Sequence, residues 1–181
     1  MLLSQKNSYL LIVDVQEKLV PLVQNSDNLV ANCHWLMRLA RELDIPVIVS
    51  EQYPRGLGKS VEAIRTYWVE EEILEKVHFS CIKDTTCRDR LTDLDKPQVV
   101  IAGIESHVCI LQTALELIAS GKEVFIVEDA ISARSDFDHR LAVERMRQAG
   151  IQIISKEMVF FEWLEQAGTD TFKALSKTFI Q

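Results

Sequence analysis

The chain has 181 residues, of which 48% are hydrophobic and 26% are charged, so it holds enough apolar material for a buried core. Its net charge of −7 argues against a nucleic-acid partner, because binding a phosphate backbone requires a clustered excess of Lys and Arg. No Pro/Gly/Ser-rich stretch or charge block divides it, so we expect one domain over residues 1–181. The apolar run near the start is too short for a signal peptide or a membrane span, which predicts a cytoplasmic protein without a membrane partner.

Short apolar runs along the chain are typical of strands that are buried on both faces. They cover residues 9–13, 46–49, 99–102, 124–127 and 151–154, and residues 73–79 form a further short strand or an extended edge. Segments with helical spacing lie between the runs, and residues 156–179 predict one or two helices that pack on the body or on a neighbouring subunit. Since such strands need crossover connections, we predict an α/β fold: a three-layer α/β/α sandwich with a mainly parallel, Rossmann-like sheet.

Three residues that can take part in chemistry lie at the ends of these strands. Asp14 follows the first run, Lys76 lies within the 73–79 segment, and Cys109 comes shortly after the run at 99–102. Open α/β sheets bind ligands at the carboxyl ends of their strands. We therefore expect the carboxylate, the ammonium and the thiol to share one edge of the sheet.

Cys109 lies in the first turn of a predicted helix that has Ser106 as its N-cap and ends at Gly121. The start of a helix favours an anion, so we expect a lowered pKa for the Cys109 thiol. The backbone N–H groups there can also bind an oxyanion. From the residue pattern alone, a structural role for Cys109 as a small core residue is equally well supported.

We expect the other cysteines to be structural free thiols. Cys33 lies in the middle of a predicted helix, and Cys81 and Cys87 lie in a loop and the helix that follows it, where no base is evident. His107 is two residues before Cys109, and residues two apart on a helix point to different faces, which argues against a Cys–His pair. Lys83 is a rival to Lys76, but the polar stretch around it favours a solvated side chain.

The segments VDVQEKL, LEKVHFS and AGIESHVCILQTALEL occur in an order that resembles the isochorismatase-like superfamily of cysteine hydrolases, over nearly the whole chain. The later segment EDAISARSDFDHRLAVERMRQAG is similar to the family's segment after the next strand. The resemblance implies a catalytic triad of Asp14, Lys76 and Cys109. It also implies a non-proline cis peptide bond between Ile104 and Glu105, with the N–H groups of Glu105 and Cys109 forming an oxyanion hole.

The loop at residues 50–58 departs from the nicotinamidase relatives, which bind a divalent metal here through an Asp-x-His pair and a further His. Since none of these ligands occurs between Glu51 and Trp68, we predict no metal and no other cofactor. Substrate-pocket candidates are Tyr53, Leu57, Trp68 and His107.

The resemblance implies hydrolysis of a small amide-like substrate through a thioester on the cysteine. The alternative is a weakly active or inactive relative that binds a small molecule or a protein. A dinucleotide-binding oxidoreductase would need G-x-G-x-x-G after the first strand, where this chain reads DVQEK. The resemblance also implies a homo-oligomer, either a dimer or a tetramer.

Overall fold

A six-stranded, all-parallel sheet forms the centre of the computed structural model, which describes residues 1–180. The spatial order is β3-β2-β1-β4-β5-β6, with helices on both faces, which confirms the predicted three-layer α/β/α architecture. In chain order the strands are β1 (Ser8–Val13), β2 (Val47–Gln52), β3 (Ile73–Lys76), β4 (Gln98–Ile104), β5 (Glu123–Ser132) and β6 (Gln152–Ile154).

The connections between the strands are mostly helical. The α-helices are α1 (Ser26–Glu42), α2 (Pro54–Leu57), α3 (Glu62–Arg65), α4 (Thr85–Asp93), α5 (Leu111–Ala119), α6 (Asp136–Gln148), α7 (Lys156–Leu164) and α8 (Asp170–Phe179). A π-helical turn, Ser106–Ile110, leads directly into α5. The predicted C-terminal segment therefore forms two helices, and within residues 1–180 no helix is both long and apolar enough to cross a membrane.

The two faces of the sheet bury two separate apolar clusters. One cluster packs the sheet against α1, α7 and α8, and the other packs it against α4, α5 and α6. Alternate residues of β1 belong to opposite clusters: Leu10 and Ile12 face α1, whereas Leu11 and Val13 face α5. Because both faces are covered, every residue of β1, β2 and β4 is buried.

Several strands extend beyond the apolar runs that predicted them. β2 continues through Ser50, Glu51 and Gln52, which are polar yet buried, whereas the apolar run ends at Val49. These residues stay in the sheet because they pair with β3 and because their side chains find hydrogen-bond partners at the strand end. β3 is shorter than the 73–79 segment and ends at Lys76.

The connections reverse direction between β1 and β4, which leaves a crevice at the carboxyl ends of these two neighbours. Gly103 pairs with Val13 at this end, with φ of +120°. A Cβ at position 103 would lie 2.1 Å from the carbonyl oxygen of Val13, so only glycine lets β1 and β4 come this close. Asp14 and Cys109 follow on either side of the crevice.

Candidate active site

A buried ion pair joins the ends of β1 and β3. The Lys76 Nζ lies 2.6 Å from the Asp14 Oδ2, and both side chains are 0% exposed. The Ser50 hydroxyl donates to the Asp14 Oδ1 at 2.7 Å, and Lys76 also donates to the Gln52 Oε1 at 2.7 Å. Each charge therefore has a neutral partner from β2 in addition to the opposite charge.

The backbone at Asp14 directs its carboxylate into this group. Strict strand alternation would place Asp14 on the α1 side with Ile12, away from Lys76. Its φ of +53° lies in the left-handed region, which Asp adopts more readily than most residues, and its N–H donates to the Ser50 carbonyl at 3.0 Å. The turn moves the side chain to the face where Ser50 and Lys76 lie.

Cys109 completes the group from the opposite side of the crevice. It lies in the π-helical turn after β4, it is 6% exposed, and its thiol is close enough to Asp14 and Lys76 for both charges to act on it. The structure thus brings together the three residues that the sequence places at strand ends. A thiol, a carboxylate and an ammonium group therefore lie side by side.

The protonation of Cys109 differs from the sequence-based expectation. Burial raises the pKa of the Cys109 thiol well above its usual range, the charge of Asp14 raises it further, and the charge of Lys76 offsets only part of this. The expectation of a lowered pKa from the helix start was therefore wrong, because burial and the adjacent carboxylate outweigh the helix. At neutral pH Cys109 is therefore a protonated thiol.

The pKa of Lys76 moves in the direction that keeps the pair charged. Burial lowers the pKa of Lys76, but the negative charge of Asp14 and its hydrogen bond raise it, and the result is above the usual value. Lys76 is therefore an ammonium at neutral pH.

The turn before Cys109 is linked to the β5–α6 connection. The peptide bond between Ile104 and Glu105 is cis, and the N–H of Glu105 makes no hydrogen bond to an acceptor within residues 1–180. The Glu105 carboxylate accepts two bonds from Arg134, at 2.7 and 3.0 Å. Ser106 is not the helix N-cap that the sequence predicted, since its hydroxyl lies 3.2 Å from His139 Nδ1 and caps no backbone N–H group.

The remaining cysteines divide into two kinds. Cys33 is buried in α1, far from the pair, as expected of a structural thiol. Cys81 and Cys87, in contrast, lie in the same apolar cluster as Cys109 and feel the charges of Asp14 and Lys76. Burial raises the pKa of Cys81 to about 11 and that of Cys87 to about 12, so both are protonated.

The predicted pocket residues do not share one cavity. Tyr53 and Lys76 both line a cavity of about 320 Å³ at the edge of the sheet. Leu57 and Trp68 are not part of its lining, and Trp68 packs against the apolar cluster on the α1 side. His107 lies on the π-helical turn with its Nδ1 buried and without a protein partner.

Two residues that could compete for a catalytic role, Lys83 and His78, lie outside the group formed by Asp14, Lys76 and Cys109. Lys83 is exposed and pairs with Glu116 at 3.2 Å, and His78 is exposed and lies 3.8 Å from Asp84. Among residues 1–180 there is also no cluster of three or more His, Cys, Asp or Glu side chains arranged to hold a metal ion.

The fold is a parallel α/β sandwich that brings Asp14, Lys76 and Cys109 together at the carboxyl ends of its strands. Comparison with known proteins identifies the family. The chain belongs to the isochorismatase family, since the model of the Isochorismatase domain matches residues 8–158. The isochorismatase domain-containing protein 2 of Danio rerio is 37% identical over 175 residues, covering 97% of this chain and 88% of that protein. The isochorismatase family protein 1A of Dictyostelium discoideum is 34% identical over 175 residues, and the match covers 94% of this chain and 85% of that protein.

Solved structures agree with this assignment. The MAR1 ribonuclease of Caenorhabditis elegans superposes with a TM-score of 0.92 and 32% identity, covering 100% of this chain and 93% of that one. The YcaC gene product of Escherichia coli is described as an octameric hydrolase of unknown specificity. It superposes with a TM-score of 0.93 and 25% identity, and the match covers 99% of this chain and 91% of that one.

The raised pKa of Cys109 leads to a prediction for its reactivity. The Asp14→Asn variant removes the negative charge and lowers the pH midpoint of Cys109 alkylation by about one to two units, whereas Lys76→Met raises it. Iodoacetamide labelling across pH, quantified by mass spectrometry of the Cys109 peptide, measures both midpoints. Cys33 is the internal control, because its pKa is raised by burial and by Asp129 and not by the ion pair. Midpoints that move in the same direction in both variants would contradict this electrostatic account.

Proposed function

We propose that the chain is a cysteine-dependent hydrolase that cleaves a small amide-like substrate through a thioester intermediate. The observation that supports it best is the buried pair of Asp14 and Lys76 beside Cys109, whose two charges both act on the thiol. A thiol that is protonated at rest needs a base at the moment of attack, and Asp14 is in place to accept the proton.

In the first half of the proposed reaction, the Cys109 sulfur attacks the carbonyl carbon while its proton passes to Asp14. The C=O π electrons move to the oxygen, and the N–H groups of Glu105 and Cys109 donate to this oxyanion. The oxyanion then collapses, the C–N bond breaks, and Asp14 gives its proton to the departing nitrogen. Ammonia or an amine leaves, and the acyl group remains on sulfur as a thioester.

In the second half, water attacks the thioester carbonyl and Asp14 takes a proton from it. Collapse of the second tetrahedral intermediate breaks the C–S bond and releases a carboxylic acid, and the sulfur regains a proton from Asp14. Lys76 stays an ammonium throughout, holds Asp14 in place and stabilises the negative charge on sulfur or oxygen. Asp14 is therefore first a base and then an acid in each half.

A binding role without turnover is a second candidate, and the 6% exposure of Cys109 favours it. Because the Cys109 thiol is nearly covered, a small molecule can contact it but a ligand as large as a peptide cannot. Substrate size is therefore the variable to scan, beginning with small primary amides.

RNA hydrolysis is a less suitable activity for this chain, although one of the similar structures is described as a ribonuclease. With 27 acidic against 20 basic residues, the chain has no excess of positive charge with which to hold a phosphate backbone. RNA is nevertheless a useful comparison substrate in the assay below.

The proposal predicts that every amide hydrolysis detected in a panel of small amides is lost in Cys109→Ala, by a factor of about 10³ or more in kcat/KM. Cys33→Ala is the control: it removes a fully buried thiol from the apolar cluster on the other face of the sheet and is expected to retain activity. Release of ammonia or amine is the measurement. Activity that survives in Cys109→Ala would disprove the nucleophile, and a native protein that binds amides without releasing ammonia or amine would favour the binding role.

We also propose that the chain forms a homo-oligomer, on the ground that the similar Escherichia coli protein is described as octameric. Phe137 and Leu141 lie one turn apart on α6 and are 62% and 45% exposed, which is an apolar face that a second copy can cover. Sedimentation equilibrium is expected to give a mass of at least twice 20.7 kDa. A monomer at micromolar concentration would contradict the proposal.

A further inference from the structure

Ser50 is a buried residue of β2 that the reaction above does not use, yet it makes two hydrogen bonds with Asp14. Its hydroxyl donates to the Asp14 Oδ1 at 2.7 Å, and its carbonyl accepts from the Asp14 N–H at 3.0 Å. Both residues are 0% exposed, so no water competes for these bonds. Ser50 thus holds both the backbone and the side chain of the residue proposed as the base.

The direction of the side-chain bond is fixed by its surroundings. Ser50 has one hydroxyl proton, and an ionised carboxylate can only accept, so the proton points to Asp14.

The charged and titratable groups around Asp14 are Lys76, which binds its Oδ2, and the thiols of Cys109 and Cys81, on both of which the charge of Asp14 acts.

We propose that Ser50 is a positioning residue, which holds the Asp14 carboxylate in one orientation so that it can accept the proton of Cys109. With Oδ1 bound by Ser50 and Oδ2 bound by Lys76, the plane of the carboxylate cannot rotate. The inference rests on the proposed function, because it assigns Ser50 a role through the base of that reaction.

The direct test is a pH titration of Asp14 itself. Carbon-13 NMR of its carboxyl carbon, in protein labelled at aspartate, monitors the titration. The resonance is assigned by its loss in Asp14→Asn. Removing a donor from the carboxylate in Ser50→Ala is expected to increase its proton affinity about tenfold, which moves the titration midpoint up by about one pH unit. Ser50→Cys, which replaces a strong donor by a weak one at similar size, is expected to shift the midpoint in the same direction.

Ser50→Thr keeps the hydroxyl and is expected to restore a midpoint near that of the native protein. Ser8→Ala is the matched control, because Ser8 is an equally buried hydroxyl at the opposite end of β1, bound to the Ser4 carbonyl and Trp163. It is expected to leave the Asp14 midpoint unchanged. A native midpoint in both Ser50→Ala and Ser50→Cys would overturn the inference.

The activity assay adds a second readout. Ser50→Ala is expected to lower kcat for Cys109-dependent hydrolysis by about 10- to 100-fold and to leave KM within about threefold, since it disturbs the base and not substrate contacts. An unchanged kcat would also overturn the inference. The NMR titration needs no substrate, so failure of the proposed function, read from Cys109→Ala, is distinguishable from failure of the role of Ser50.

Discussion

The ion pair between Lys76 and Asp14 is the interaction on which the rest of the site depends. Both side chains are fully buried, and taking two charges out of water costs several kcal/mol for each ion, which their mutual attraction offsets only with good geometry and further hydrogen bonds. Ser50 and Gln52, both from β2, supply those bonds. The result is a buried ion pair beside Cys109: burial raises the pKa of that thiol most, and the charge of Asp14 raises it further.

Much of this arrangement follows from features that the sequence shows. Apolar runs alternating with helical segments predict a parallel sheet, and the carboxyl ends of parallel strands lie at one edge. That reasoning places Asp14, Lys76 and Cys109 together without knowledge of their contacts, and in the structure Lys76 is hydrogen-bonded to Asp14 and both charges act on the Cys109 thiol. Strand order was not predictable from the runs, since adjacency of β1 and β4 depends on the close approach that Gly103 allows.

The parts that sequence reasoning missed are those that depend on neighbours distant in the chain. Ser50 and Gln52 are neutral residues directly after an apolar run, and nothing local distinguishes them from a polar loop. The pKa of Cys109 was misjudged because the start of a helix is visible in the sequence, whereas burial and the field of Asp14 are not. Cys81 was interpreted as incidental for the same reason, since its place in the apolar cluster of Cys109 exists only in the folded chain.

A double-mutant cycle on the ion pair tests the central claim most directly. Urea unfolding would give the free energy of unfolding of the native protein, Asp14→Asn, Lys76→Met and the double variant. If the pair is held as described, each single variant leaves one charge buried without its partner and loses about 3–5 kcal/mol, while the double variant loses clearly less than the sum. Losses that add to within about 0.5 kcal/mol would show that the two charges do not depend on each other, and the account of the site would be wrong.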